Sequence, residues 1–145
     1  MITPNDLYYL GIAREESKNS PDPSTKTGAV IVKDGKILST GYNKFPPNVE
    51  TTDERLNNRD EKLSFIIHCE MVALILSKES VKGATLYTWP FMSCSNCAGM
   101  FSLAEISRVV APHSTNPRWI KSFEKSMEIF KRHNIIVDLA PDINE

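Results

Sequence analysis

Residues 85–111, TLYTWPFMSCSNCAGMFSLAEISRVVA, read as strand, helix, strand. Thr85-Leu86-Tyr87-Thr88 and Arg108-Val109-Val110-Ala111 are short runs rich in β-branched and aromatic residues, the composition of strands. Between them a helix is expected from near Cys94 to near Ile106. Two strands joined through a helix lie parallel in one sheet. Toward the C-terminus, Asn116-Pro117 opens another helix, whose Ile120, Phe123, Met127 and Phe130 recur at helical spacing. Ile135-Ile136-Val137 follows as the last strand. Toward the N-terminus, Gly83 breaks the chain. The segment before it, Cys69 to Leu76, is apolar except for Glu70, the pattern of a helix buried all round.

Further back, Ala29-Val30-Ile31-Val32, the turn signal Asp34-Gly35 and Ile37-Leu38 read as an antiparallel hairpin. Thr3-Pro4 supplies an N-cap and a first-turn proline for a helix running to about Lys18, before the breaker run 19–23. Together these elements predict an α/β fold: a three-layer α/β/α sandwich around a mixed five-stranded sheet, as a single domain over residues 1–145. From Tyr42 to about Ile67 there is no clear period and many charges, the mark of a functional loop. Asp60 to Phe65 is a candidate short helix within it.

The 145 residues are 41% hydrophobic, with 17 basic and 18 acidic side chains and a formal net charge of -1. A chain that wraps duplex nucleic acid needs a basic excess, and none exists here. No run of about 18 apolar residues predicts a membrane span, and the N-terminus lacks a signal-peptide layout. Three cysteines argue against a disulfide framework and suit a reducing, cytoplasmic compartment.

The residues that bear chemistry are His68-Cys69-Glu70 and Cys94-Ser95-Asn96-Cys97. Two cysteines separated by two residues reach one ion from the first turn of a helix, and His68 can supply a third ligand. Three protein ligands leave the fourth tetrahedral position of zinc open, which separates catalytic from structural sites. Both segments are expected at helix N-termini, whose positive ends stabilise thiolates. Glu70 opens an apolar helix, where an unpaired carboxylate is costly; proton transfer beside a metal-activated water would account for it. Histidine, cysteines and a non-ligand Glu in this order form the zinc deaminase signature. Alone, the Cys pair would equally suit a structural zinc half-site or a redox pair, and His68 a core histidine. A closed structural site needs a fourth ligand. Cys69 points elsewhere, and His113 and His133 lack supporting spacing.

At these residues the chain resembles the zinc-dependent cytidine/deoxycytidylate deaminase superfamily, and most nearly its deoxycytidylate (dCMP) deaminase branch, from about Asp22 to about Val110. Asp22-Pro23-Ser24-Thr25-Lys26-Thr27-Gly28-Ala29 looks like that branch's entry to the first strand. Gly41-Tyr42-Asn43-Lys44-Phe45-Pro46 looks like its Gly-Tyr-Asn-Gly-x-Pro loop, and residues 54–59 like its arginine-containing segment. Three positions depart from the pattern: Cys69 stands where Ala is usual, Ser93 where Pro is usual, and Lys44 where Gly is usual. Members of the branch are commonly regulated by dCTP and dTTP bound near that loop, and Lys44 argues against such regulation here.

The resemblance implies zinc on His68, Cys94 and Cys97, with Glu70 as the acid/base in hydrolytic deamination of dCMP, or a 5-substituted dCMP, to the corresponding dUMP. It implies Asn43 at the sugar hydroxyl, with Ser24 and Lys26 nearby, and a homo-oligomer, often a hexamer in related enzymes. A 5′-phosphate needs cations or backbone donors, for which Lys26, Arg55, Arg59 and Lys62 are candidates, each equally readable as a solvated surface charge. Trp89 is a candidate wall of the base pocket, with ordinary core packing as its alternative. His113 follows a strand at its carboxyl end, where α/β sheets place ligands. A nucleic-acid editing deaminase is the competing enzyme reading; the balanced charge disfavours it. A non-catalytic zinc-stabilised module is the third, and Glu70→Ala separates it, since a module would keep its function.

Overall fold

The computed structural model of the chain describes residues 1–141; the last four positions of the expected 1–145 domain lie outside the described residues. Eleven elements follow in the order α1 (Pro4–Ser17), β1 (Gly28–Lys33), β2 (Lys36–Tyr42), α2 (Asp53–Asn57), α3 (Arg59–Phe65), α4 (Cys69–Leu76), β3 (Thr85–Trp89), α5 (Ser95–Leu103), β4 (Arg108–Pro112), α6 (Ile120–Arg132) and β5 (Ile136–Ala140). The strands form one sheet in the order β2-β1-β3-β4-β5. β1 pairs antiparallel with both β2 and β3, while β3, β4 and β5 run parallel. The mixed five-stranded sheet expected from sequence is what forms. Asp34 and Gly35 both take positive φ at the hairpin tip, the backbone that an Asp-Gly pair permits.

The pleat sorts the core into two layers. Ala29, Ile31, Leu86, Val109 and Ala111 face a cluster shared with α4, α5 and α6. Their neighbours Val30, Val32, Tyr87 and Val110 face Leu10 and Ala13 of α1. Thr3 caps α1 with a full capping box: its hydroxyl accepts from the Asp6 N–H, and its own N–H donates to the Asp6 carboxylate. On that face Asp6 is buried and holds Arg108 through two bonds of 2.8 and 2.9 Å, with the Tyr87 hydroxyl donating at 2.7 Å.

Several expectations are corrected. α4 is not buried all round: Cys69, Glu70, Val72 and Ala73 face inward, whereas Ile75 and Leu76 are 75% and 57% exposed. A single helix on one sheet face buries one stripe, and Ile75 and Leu76 lie on the outer side of α4. α6 starts at Ile120 rather than Asn116, because Asn116 first forms a turn that accepts the Arg118 N–H. α5 ends at Leu103, and β5 runs on to Ala140. The loop after Tyr42 holds two helices rather than one, α2 capped by Thr52 and α3 by Asn58. Among the described residues no helix is long and apolar enough to cross a membrane.

The topology gathers the loops that matter at one edge. Gly28, at the start of β1, pairs with Tyr42 at the end of β2 and with Trp89 at the end of β3. The segments 22–27, 43–45 and 90–94 therefore emerge side by side, at the carboxyl end of parallel β3 and β4. This is where open α/β sheets bind ligands.

Candidate active site

A backbone bridge between Lys44 and Ile67 brings the end of the long loop up to α4 and delivers His68 as its N-cap. The turn after Trp89 delivers Cys94 as the N-cap of α5, with Cys97 one turn in. His68 Nδ1 lies 3.3 Å from Cys97 Sγ and 3.5 Å from Cys94 Sγ, and the three candidate ligand atoms all lie within 4.8 Å of one another. Tetrahedral zinc with Zn–N of about 2.0–2.1 Å and Zn–S of about 2.3 Å sets nitrogen and sulfur about 3.5 Å apart. The donor set and spacing fit that ion.

Electrostatics point the same way. Cys94 is drawn down to about 4, first by the hydrogen bond from Cys97 and then by His68, while Cys97 is pushed up by the same bond and by burial. His68 is raised, chiefly by its bond to Cys94. Ligands must shed protons to a metal, and one thiolate is already favoured here. Cys69 is different. Its side chain is 2% exposed and sits in the core, and burial pushes its thiol well up.

Glu70 is buried in the first turn of α4. Its Oε2 accepts a 2.8 Å bond from the Ser93 hydroxyl, and the Cys69 thiol lies 3.8 Å from Oε1. His68, Glu70 and Cys94 all line one cavity of about 350 Å³. The sequence candidates Asn43, Arg59 and Trp89 line it too. The Asn43 carboxamide is partly committed: Oδ1 accepts from the Thr27 N–H at 3.0 Å, and Nδ2 donates to the Thr25 carbonyl at 2.9 Å.

Four other candidates are not brought to the cavity. Ser24 lines an adjoining rim hollow with Pro90 and Ser114, which shares Arg118 and Trp119 with the cavity. The Lys26 ammonium turns back to the Ser20 carbonyl. Arg55 donates to the Glu50 carbonyl and stacks over Phe65. His113 belongs to a neighbouring hollow with Glu124 and Met127, because its N–H pairs with Ala140 of β5 and carries it past the cavity.

The sequence reading missed a wall from the far end of the chain. Arg118, Trp119 and Phe123 line the cavity with Phe91. The Phe91 ring lies 5.6 Å from both Trp119 and Phe123, and the Arg118 guanidinium stacks 4.8 Å from the centre of Trp119. The Arg118-Trp119 pair directly after Pro117, at the expected opening of a helix, was the available signal. Lys62, a phosphate candidate, lines the cavity but is already paired: its ammonium is buried and lies 3.2 Å from Asp22 Oδ1. That same oxygen accepts the N–H groups of Ser24 and Thr25.

A His-Cys-Cys metal cluster beside a buried carboxylate, at the carboxyl edge of a mixed sheet, is the equipment of a zinc-dependent hydrolase acting on an amino-substituted ring. Residues 3–112 match the family model of the cytidine and deoxycytidylate deaminase zinc-binding region, and the chain belongs to that family of zinc-dependent deaminases. It is 31% identical over 125 residues to an uncharacterized deaminase in the luxG 3′ region of Aliivibrio fischeri, covering 84% of each chain. It is 33% identical over 120 residues to a deoxycytidylate deaminase of Mycobacterium phage D29, covering 74% of this chain and 93% of the other. In fold it resembles the dCMP deaminase of cyanophage S-TIM5 in complex with dCMP and dUMP, with a TM-score of 0.77 at 23% identity over 97% of this chain and 100% of that one.

Proposed function

We propose that the chain deaminates dCMP hydrolytically to dUMP, releasing ammonia, in one catalytic domain. The observation that carries the proposal is the single cavity shared by the His68-Cys94 metal edge, the Glu70 carboxylate and two arginines from separate elements, Arg59 and Arg118. Its volume of about 350 Å³ suits one small ligand. Among the described residues the arginines that form ion pairs are Arg55, Arg108 and Arg132. Arg59 and Arg118 therefore keep their charge for a ligand, and a 5′-phosphate is the anion a deoxynucleotide offers them.

His68, Cys94 and Cys97 would hold zinc, which when bound would supply an acidified water as nucleophile. Glu70 would accept one proton of the attacking water and deliver it to ring N3, then take the remaining proton from the new C4 hydroxyl and pass it to the departing amine. The C4–N bond breaks, ammonia leaves and the carbonyl of uracil remains. Trp89, Phe91 and Trp119 offer flat apolar surface to the base. Asn43 keeps one N–H and one lone pair beyond its two loop bonds for the sugar hydroxyl. The exposed Ile75 and Leu76 of α4, with Met100 and Leu103 of α5, support assembly of identical chains across these two helices. The three free cysteines suit a reducing cytoplasm.

Parallel assays of dCMP, CMP, cytidine and a structured RNA test the reading, with ammonia as the readout. Turnover of dCMP is expected, and Glu70→Gln should abolish it while zinc is retained. Turnover confined to RNA overturns the proposal.

A further inference from the structure

Ser93 makes a contact that the deaminase pattern does not account for. It stands immediately before Cys94, where the resemblance leads one to expect proline, and a proline has neither a hydroxyl nor an N–H to donate. Here the Ser93 hydroxyl donates to Glu70 Oε2 at 2.8 Å. Both side chains are buried, at 1% and 5% exposure. Among the described residues this is the one short hydrogen bond of the Glu70 carboxylate, since the Cys69 thiol at 3.8 Å is a weak donor. Ser93 is itself held. The hydroxyl of Ser126, fully buried on α6, donates to the Ser93 carbonyl at 2.7 Å. One residue past Cys94, the Ser95 N–H donates to the Ser122 hydroxyl at 3.2 Å. α6 thus grips the turn on both sides of Cys94.

We infer that Ser93 is a positioning residue for Glu70: its hydroxyl clamps one carboxylate oxygen and fixes the rotation of the group, and Ser126 holds Ser93 in place. A glutamate side chain with free rotors loses conformational entropy on being ordered. A reacting group displaced by about 1 Å can cost about a hundredfold in rate. A clamp on Oε2 meets the ordering cost in the folded protein, before substrate arrives, and leaves the other lone pairs of the carboxylate to the cavity that Glu70 lines. The inference rests on Glu70 being the proton carrier.

The test is Ser93→Ala in the zinc-loaded enzyme, with Ser126→Ala as a second variant acting one bond further away. For Ser93→Ala, kcat on dCMP should fall at least tenfold, with KM within about twofold and the zinc content of the wild type. Ser126→Ala should fall in the same direction by less. A crystal structure of zinc-loaded Ser93→Ala should show the Glu70 carboxylate rotated from its wild-type position. Unchanged kcat, a rise in KM as large as the fall in kcat, loss of zinc or failure to fold each overturns the inference. A wild-type protein that leaves dCMP untouched fails the proposed function instead, and the carboxylate position in the two crystal structures still decides the role of Ser93.

Discussion

Gly41 lies directly against the backbone of Cys69: a Cβ on Gly41 would sit 2.5 Å from the Cys69 carbonyl oxygen and 2.7 Å from the Ala73 nitrogen. The approach lets α4 lie flat across β2 and sets the height of the turn that carries His68 and Glu70. Gly41→Ala should therefore push α4 off the sheet. Overpacking of this kind costs about 1–3 kcal/mol, or roughly 3–10 °C in Tm for a chain of this size. The larger effect is expected on the site, with kcat/KM for dCMP down more than tenfold. Calorimetry and turnover of the same sample check both; a variant stable and active as wild type refutes this account of α4.

Metal removal gives the second prediction. A strong chelator should abolish turnover, and added zinc should restore it. Cys94 is only partly buried, whereas Cys69 and Cys97 are buried. Iodoacetamide should therefore label Cys94 first in chelated protein and leave it untouched in zinc-loaded protein, with peptide mass spectrometry as the readout. Cys94→Ser should lower zinc affinity, whereas Cys69→Ala should retain zinc at full stoichiometry.

Which features could be read from sequence follows from the range of the interactions that fix them. The Asp34-Gly35 hairpin and the Thr3 cap are set by neighbours within a few residues and stood in plain view. The His68, Glu70, Cys94 and Cys97 cluster was also legible, because metal chemistry restricts residue type and spacing. α2 was missed although Thr52-Asp53-Glu54 carries an N-cap and an acidic first turn; a single turn of helix is too short to show a hydrophobic period. The cations were the least legible. Lys26 is consumed by Ser20, and Lys62 by Asp22 forty positions away. Arg118 reaches the cavity only because β4 sits beside β3 in the sheet. Nothing local in the sequence distinguishes these outcomes.

That distinction gives a third prediction. Arg59→Ala and Arg118→Ala should each raise KM for dCMP about tenfold or more with kcat within about threefold, since a hydrogen bond to a charged group contributes about 1.5–3 kcal/mol. Deoxycytidine, which lacks the phosphate, should be insensitive to both changes. Arg55→Ala should alter KM little, because its guanidinium is bound to the Glu50 carbonyl rather than directed at the cavity. Equal KM effects of Arg55 and Arg118 substitutions would remove Arg118 from the phosphate site.

The fourth prediction concerns acid stability and lies on the opposite face of the sheet. Arg108, held by two bonds, keeps the Asp6 carboxyl well below the usual carboxylate range, with the Thr3 backbone and the Tyr87 hydroxyl adding to the effect against burial. Asp138 is lowered too, first by the N-terminal ammonium and then by Arg108. In the unfolded chain Asp6 titrates near 3.9. A carboxyl whose folded value is depressed binds more protons when unfolded, so its contribution is complete above about pH 5 and is lost as pH falls through 4 toward the folded value. Asp6→Asn breaks a largely buried pair and leaves Arg108 short of its main partner, at a cost of about 3 kcal/mol at pH 7. The loss should shrink steadily as pH falls below about 4, because protonation of Asp6 in the unfolded chain then offsets a growing part of the wild type's advantage. Urea melts of both proteins from pH 3 to pH 7 measure it. A wild-type to Asp6→Asn difference that stays constant across that range would show that the Asp6 charge contributes nothing through Arg108.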